Sequence, residues 1–118
     1  MIEQDKKPQL NTGTIRHLQE YIAGKIKERG FKDETLQERL LLLTEELGEL
    51  VNACRKITGM NVDQRREITN KVGEEVVDVL NMVFAVGIEL GLDIEKEFFE
   101  KDEKIDKRIY KRNPSNKT

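Results

Sequence analysis

The sequence of 118 residues is short of several residue types, and each shortage excludes a class of protein. A single cysteine, Cys54, allows no internal disulfide and fits a reducing compartment. Two prolines and an aromatic fraction of 5% argue against a β-sandwich and against a disordered chain. No run of about 18 apolar residues is present to span a membrane, and the polar start of the chain predicts no signal peptide. We therefore expect a soluble cytoplasmic protein.

The sequence also lacks an excess of either charge. It has 21 basic and 23 acidic residues, which are mixed along most of the chain. Only residues 101–117 are locally basic, and Tyr110 is the one aromatic residue among them. A nucleic-acid binder that used this tail would be expected to interleave more aromatic residues with its charges. We interpret the tail as a solvated end and expect no nucleic-acid partner.

Apolar residues are present at helical spacing in four segments, three and four positions apart. We predict helices over residues 14–29, from an N-cap at Asp33 to Gly59, over 64–90, and over 94–110 after an N-cap at Asp93. The fold class expected is all-α, an antiparallel bundle of four helices with short connections and an oligomeric core. The domain is predicted to cover residues 14–111, between a flexible arm (1–13) and a disordered tail (112–118).

Four acidic residues lie within apolar arcs of the second and third helices. At about 100° per residue, Glu46 falls inside the leucine-rich arc of the second helix and Glu49 at its margin. The third helix is apolar nearly all round, yet it carries Glu75 and Asp78 among its valines. Burial of an unpaired carboxylate costs several kcal/mol, so these acids need cations or must become protonated.

Two pairs of acids, each one turn apart, form one cluster if the two helices pack antiparallel. Oxygen ligands without histidine or cysteine favour Mg²⁺, with Mn²⁺ as a substitute. The alternative interpretation is a set of salt bridges between the helices and nearby lysines and arginines.

The two acidic segments resemble the paired motif of the MazG-like all-α nucleoside triphosphate pyrophosphohydrolases. That motif is E-E-x-x-E followed by E-x-x-D, and here it reads Glu45-Glu46-Leu47-Gly48-Glu49 and Glu75-Val76-Val77-Asp78. The resemblance extends from about Leu18 to Arg108. It implies that Glu46, Glu49, Glu75 and Asp78 coordinate magnesium. It also implies hydrolysis of (d)NTPs to a nucleoside monophosphate and pyrophosphate by a homodimer or homotetramer, in nucleotide-pool house-cleaning.

The resemblance, together with the helix faces on which Lys56 and Asn81 lie, suggests further site residues. Glu45 and Glu46 are both candidates for the general base, and the sequence does not separate them. Substrate contacts are expected from the residues Gln19, Phe31, Lys56, Asn81, Lys101 and Arg108, each of which also has an ordinary surface or packing interpretation. Many relatives carry an asparagine on the last helix where this chain has Ile105, so this chain departs from the family pattern on that helix.

Two questions stay open at the level of sequence. The first is the preferred base, because dCTP, dUTP and phosphoribosyl-ATP all remain compatible with the motif. The second is whether the chain is an enzyme or a non-catalytic helical module that regulates or interacts with other proteins. Intact acids at all four expected ligand positions favour the enzyme.

Overall fold

The computed structural model describes residues 7–59, 61 and 71–111. This part of the chain forms four helices and no strands: α1 (Thr14–Glu28), α2 (Leu36–Thr58), α3 (Val72–Glu89) and α4 (Ile94–Asp106). The predicted all-α class and the four helices are confirmed. The predicted start of the third helix at residue 64, residues 1–6 of the arm and the tail from 112 onward lie outside the described residues. Lys71, inside the predicted helix 64–90, has an extended backbone and is the N-cap of α3, so the helix begins at Val72.

The N-terminus of α2 differs from the prediction. The cap is Thr35 and not Asp33, because Thr35 and Glu38 form a capping box. The Glu38 backbone N–H donates to Thr35 Oγ1 (3.2 Å), and the Thr35 N–H donates to Glu38 Oε1 (3.0 Å). This second bond lowers the pKa of Glu38. A reciprocal pair satisfies two otherwise free N–H groups, which a single cap does not.

The C-terminal end of α4 also differs from the prediction. The helix ends at Asp106, and residues 107–111 are not helical, although we predicted helix up to Tyr110. Ile109 is 95% exposed, so no burial of its side chain offsets the entropy of ordering another turn. The predicted N-cap at Asp93 is confirmed, since its side chain accepts from the Lys96 N–H.

The α2–α3 pair is the centre of the molecule. Arg39 contacts Ala85 and Glu89, whereas Glu46 lies beside Glu75, so the two helices run antiparallel. α1 packs on α3, and α4 packs on α1. Gly87 permits a close approach between α3 and α4, because a Cβ there would lie 2.8 Å from Cδ1 of Ile94.

Few apolar side chains are buried within one chain. Among the described residues the buried hydrophobic ones are Ile22, Ala53, Phe84 and Ala85. A second group is exposed on one side of the α2–α3 pair, about a third of a turn from the acids on each helix. We call this group the apolar face, and it consists of Leu40, Leu47, Val51, Val76, Leu80 and Val83. Within the described residues, no helix combines the length and the apolarity needed to cross a bilayer.

Candidate metal centre

Three of the four predicted ligands meet between α2 and α3. Glu46 comes from α2, and Glu75 and Asp78 lie one turn apart on α3. One carboxylate oxygen from each of the three lies within 4.8 Å of the other two. The antiparallel packing of two helices therefore brings together acids that are about 30 positions apart in the sequence.

Burial distinguishes this cluster from an ordinary acidic surface. Glu75 is only 4% exposed, and its Oε2 is buried without a hydrogen-bond partner. Glu46 Oε2 is likewise buried and unpartnered. A buried carboxylate oxygen without a donor is unfavourable in the absence of a cation. The alternative prediction was that these acids pair with lysines and arginines, and none of the ion pairs within the described residues does so.

The acids also perturb one another. Burial raises the pKa of Glu46 to about 7, and the charges of Glu49, Asp78 and Glu75 act in the same direction. Burial likewise raises the pKa of Glu75, together with repulsion from Glu49 and Asp78. Carboxylates that lie close together repel one another when all are ionised, so the protonated forms are favoured. A bound divalent cation favours the ionised forms instead.

Glu49, the fourth predicted ligand, lies next to the cluster. Repulsion from its carboxylate raises the pKa of both Glu46 and Glu75. Four carboxylates without histidine or cysteine form a hard-oxygen donor set of the kind that Mg²⁺ and Mn²⁺ occupy. The residues present therefore fit the predicted metal. Glu45, the other candidate base, is exposed and lies outside the cluster.

A cavity of about 350 Å³ lies between α1 and α3, along the side of α3 next to the acids. Asn81, one turn after Asp78, lines it together with Phe31 and Tyr21. Val77 lines both this cavity and a shallow depression that includes Asp78. The cavity thus extends along α3 towards the acidic cluster. Its remaining lining residues are Ile22, Lys25, Ile26, Arg29, Glu34, Met82 and Ala85.

Other predicted substrate contacts lie elsewhere. The side-chain amide of Gln19 donates to the Leu92 carbonyl (2.9 Å) and accepts from the Ile94 N–H (3.0 Å), so it joins α1 to the start of α4 and does not line the cavity. Lys56 is exposed near the end of α2. Lys101 and Arg108 are exposed on and after α4, which packs mainly on α1 and approaches α3 at Gly87, more than two turns beyond Asp78.

Sequence reasoning missed Arg39 and the two cavity cations Lys25 and Arg29. Arg39 is 3% exposed and lies on the same face of α2 as Glu46, seven residues earlier. The argument that identified the acids, a charged residue within an apolar arc, applies to Arg39 as well. Lys25 and Arg29 give no such signal, because a cation near a helix C-terminus is common for other reasons.

One of three comparisons with known proteins identifies a family. A family model described as dUTPase (dUTPase_2) matches residues 11–115. No curated protein and no solved structure matches the chain. The predicted class of all-α nucleotide pyrophosphatases is confirmed, under a different family name. Because the match covers nearly the whole chain, the protein belongs to the dUTPase_2 family, a MazG-like family of all-α nucleotide pyrophosphatases.

Proposed function

We propose that the protein is a magnesium-dependent pyrophosphohydrolase that converts a nucleoside triphosphate, dUTP first among them, to the monophosphate and pyrophosphate. The observation that carries the proposal is that Glu46 of α2 and Glu75 of α3 each have a buried carboxylate oxygen without a hydrogen-bond partner, in a cluster with Asp78. The family description supports a nucleoside triphosphate as the substrate.

The metal would be held by Glu46, Glu49, Glu75 and Asp78. Bound Mg²⁺ supplies positive charge that offsets the repulsion between these carboxylates and the phosphates. Glu46 is the candidate base that lies in the cluster, whereas Glu45 lies outside it. Water attacks phosphorus, its proton passes to Glu46, and the α–β anhydride bond breaks to release pyrophosphate.

The cavity between α1 and α3 is proposed as the nucleobase site. Phe31 and Tyr21 offer rings for stacking, and the Asn81 amide has both a donor and an acceptor. None of the hydrogen bonds within the described residues uses this amide. One donor and one acceptor side by side match the N3–H and carbonyl edge that uracil shares with thymine, and the family description puts dUTP first. The cellular role we infer is removal of unwanted nucleotides from the pool.

A second copy of this chain is proposed to cover the apolar face. This surface carries aliphatic side chains from two helices and no charged residue among its six members. Contiguous apolar surface on a small domain is typical of an interface, and a surface without charges is compatible with its own copy in a two-fold dimer. Apolar burial there adds to the small core of one chain. We therefore propose that the protein is a homodimer, or a tetramer made of two such dimers.

Product analysis tests the activity. Purified protein is incubated with dUTP, dCTP, dTTP and UTP, with and without Mg²⁺, beside the variants Glu75→Gln and Glu97→Gln. We expect metal-dependent monophosphate and pyrophosphate, fastest from dUTP, and a loss of roughly a hundredfold or more in Glu75→Gln. Glu97 is exposed on α4, so its variant is the matched control.

Other outcomes would contradict the proposal in different ways. Diphosphate plus phosphate as products would mean that a different bond is cleaved. Full activity of Glu75→Gln would remove Glu75 from the metal site. Absence of turnover with every nucleotide would favour the non-catalytic interaction module on the same scaffold.

A further inference from the structure

Arg39 is a buried cation that contacts two other parts of the chain. Its Nη1 donates to the Ala85 carbonyl of α3 (2.7 Å) and lies 3.4 Å from Glu89 Oε2. Its Nη2 donates to the Phe31 carbonyl in the loop between α1 and α2 (3.5 Å). Both Phe31 and Ala85 line the cavity between α1 and α3. One guanidinium therefore links two walls of the same cavity.

The backbone of Phe31 is fixed although its ring is exposed. Its N–H donates to the Ile26 carbonyl (2.9 Å), and its carbonyl accepts from the Glu34 N–H (3.2 Å) as well as from Arg39. The residue as a whole is nevertheless 50% exposed at the cavity. A held backbone with a free ring is the arrangement expected of a preorganised stacking surface, because little entropy is lost when a planar ligand binds.

The register of α2 and α3 relates this contact to the acids. Arg39 precedes Glu46 by seven residues, and Ala85 follows Asp78 by seven. Because α2 and α3 are antiparallel, seven residues back along α2 and seven residues forward along α3 lead towards the same end of the pair. At about 1.5 Å per residue, the Arg39–Ala85 contact therefore lies about 10 Å from the acidic cluster. That distance is comparable with the length of a nucleoside. Arg39 thus ties the loop that carries Phe31 to the helix that carries Glu75 and Asp78.

Stability alone does not account for an arginine at this position. Its Nε is buried without a partner, and desolvation of a buried cation offsets much of what its ion pair contributes. Replacement of such a group by an apolar side chain of similar size is often neutral or stabilising. A lysine would keep the charge but lacks the fork that reaches two carbonyl oxygens at once.

We propose that Arg39 is a positioning residue, which holds Phe31 at a fixed distance from the metal ligands of α3 so that the ring stacks on the base of a nucleotide whose phosphates lie at the acids. This inference rests on the proposed function. Arg39 acts through Phe31 and touches neither the base nor the phosphates.

A double-mutant cycle with steady-state kinetics tests the proposal. We expect Arg39→Met to raise the KM for dUTP about tenfold, the loss of roughly one stacking contact, with kcat changed less than about twofold. Arg39→Lys is expected to fall between this variant and the wild type. In a Phe31→Ala background, Arg39→Met should raise the KM no further, because the two changes remove one interaction. If Arg39→Met still raised the KM tenfold in the Phe31→Ala background, the proposal would be overturned.

Arg55→Met is the matched control. Arg55 is also on α2, also has a buried unpartnered Nε, and also donates to a loop carbonyl, that of Asn61 (2.7 Å). Asn61, unlike Phe31 and Ala85, does not line the cavity. We expect the KM of Arg55→Met to equal that of the wild type. Thermal unfolding of each variant shows whether a change in KM comes from loss of the fold, which Arg39→Met is expected to keep.

Hydrogen exchange separates this inference from the proposed function. The Glu34 N–H shares the Phe31 carbonyl with Arg39, so its exchange should be about tenfold faster in Arg39→Met and unchanged in Arg55→Met. Unchanged exchange in Arg39→Met overturns the positioning role whether or not the protein is active. Absence of turnover in the wild type, with faster exchange in Arg39→Met, overturns the proposed function and its stacking role while the anchoring of the loop stands.

Discussion

The environment of the Glu46 carboxyl group favours its protonated form. Burial on α2 is the main cause of its pKa of about 7, and the neighbouring acids add to it. A group whose pKa is higher in the folded than in the unfolded chain binds its proton more tightly when folded. Its contribution to stability is therefore full below the ordinary value of 4.5 and is lost as the pH rises towards 7. Glu75 is shifted in the same direction.

The prediction at this scale concerns the metal-free protein. Glu46→Gln cannot ionise, so its melting temperature should fall less steeply than that of the wild type between pH 4.5 and 7. Thermal melts in a chelator across this range measure the difference, and Glu97→Gln should follow the wild type. Added Mg²⁺ at pH 7 should raise the melting temperature of the wild type more than that of Glu46→Gln. Parallel pH profiles for all three proteins would contradict the environment assigned to Glu46.

Helix α1 receives its N-terminal cap from a different element. No side chain of its own first turn caps it. Glu95 of α4, which is buried, accepts through Oε1 from the Gly13 N–H (2.8 Å) and the Arg16 N–H (3.3 Å). The Arg16 guanidinium lies 3.5 Å from its other oxygen. Gly13 has φ of 96°, a left-handed conformation that suits glycine and turns the chain into this cap.

Removal of this cap should destabilise the fold without touching the acids. Glu95→Ala leaves two backbone N–H groups without their acceptor and leaves the Arg16 guanidinium with Asp93 alone, so we expect a loss of about 2–3 kcal/mol in the free energy of unfolding. Urea denaturation measures it. Glu95→Gln keeps one acceptor oxygen and should lose less, and the exposed Glu97→Ala should stay within about 0.5 kcal/mol of the wild type. Equal stability of Glu95→Ala and Glu97→Ala would show that the cap adds nothing.

The molecule as a whole has more apolar surface than one chain can bury. The apolar face is on one side of the α2–α3 pair, while α1 packs on another side of α3. Exposure of these aliphatic side chains is unfavourable, and each one buried at an interface contributes on the order of 25 cal/mol per Å². The acidic cluster belongs to the same two helices, so association would also stabilise the elements that hold the metal ligands.

A charge placed on the apolar face should prevent association. Leu47→Lys puts an ammonium group among aliphatic side chains, where it has no partner, so we expect the mass in solution to fall to that of one chain. Asn52→Lys, on the opposite side of α2, should keep the mass of the wild type. Light scattering after size-exclusion chromatography measures both. A monomeric wild type, or an unchanged Leu47→Lys, would contradict the proposed interface.

The sequence by itself determined the helices and the main acidic residues of the site. Helical spacing, the Asp93 cap and Gly59 after α2 depend on neighbours a few positions away, so these features are readable without a fold. Glu46, Glu75 and Asp78 were identifiable because charged residues within apolar arcs are anomalous on their own helices.

Only the tertiary structure decided which residues pack against each face of a helix. Periodicity places Gln19 on a side of α1, but packing directs its amide to α4 and not to the cavity. Packing likewise joins Arg39 to Phe31 and Ala85, and it leaves the exposed Glu45 outside the cluster that contains Glu46. The physical reason is that a helix repeat defines which side is apolar, whereas the partner of that side depends on contacts between residues far apart in the chain.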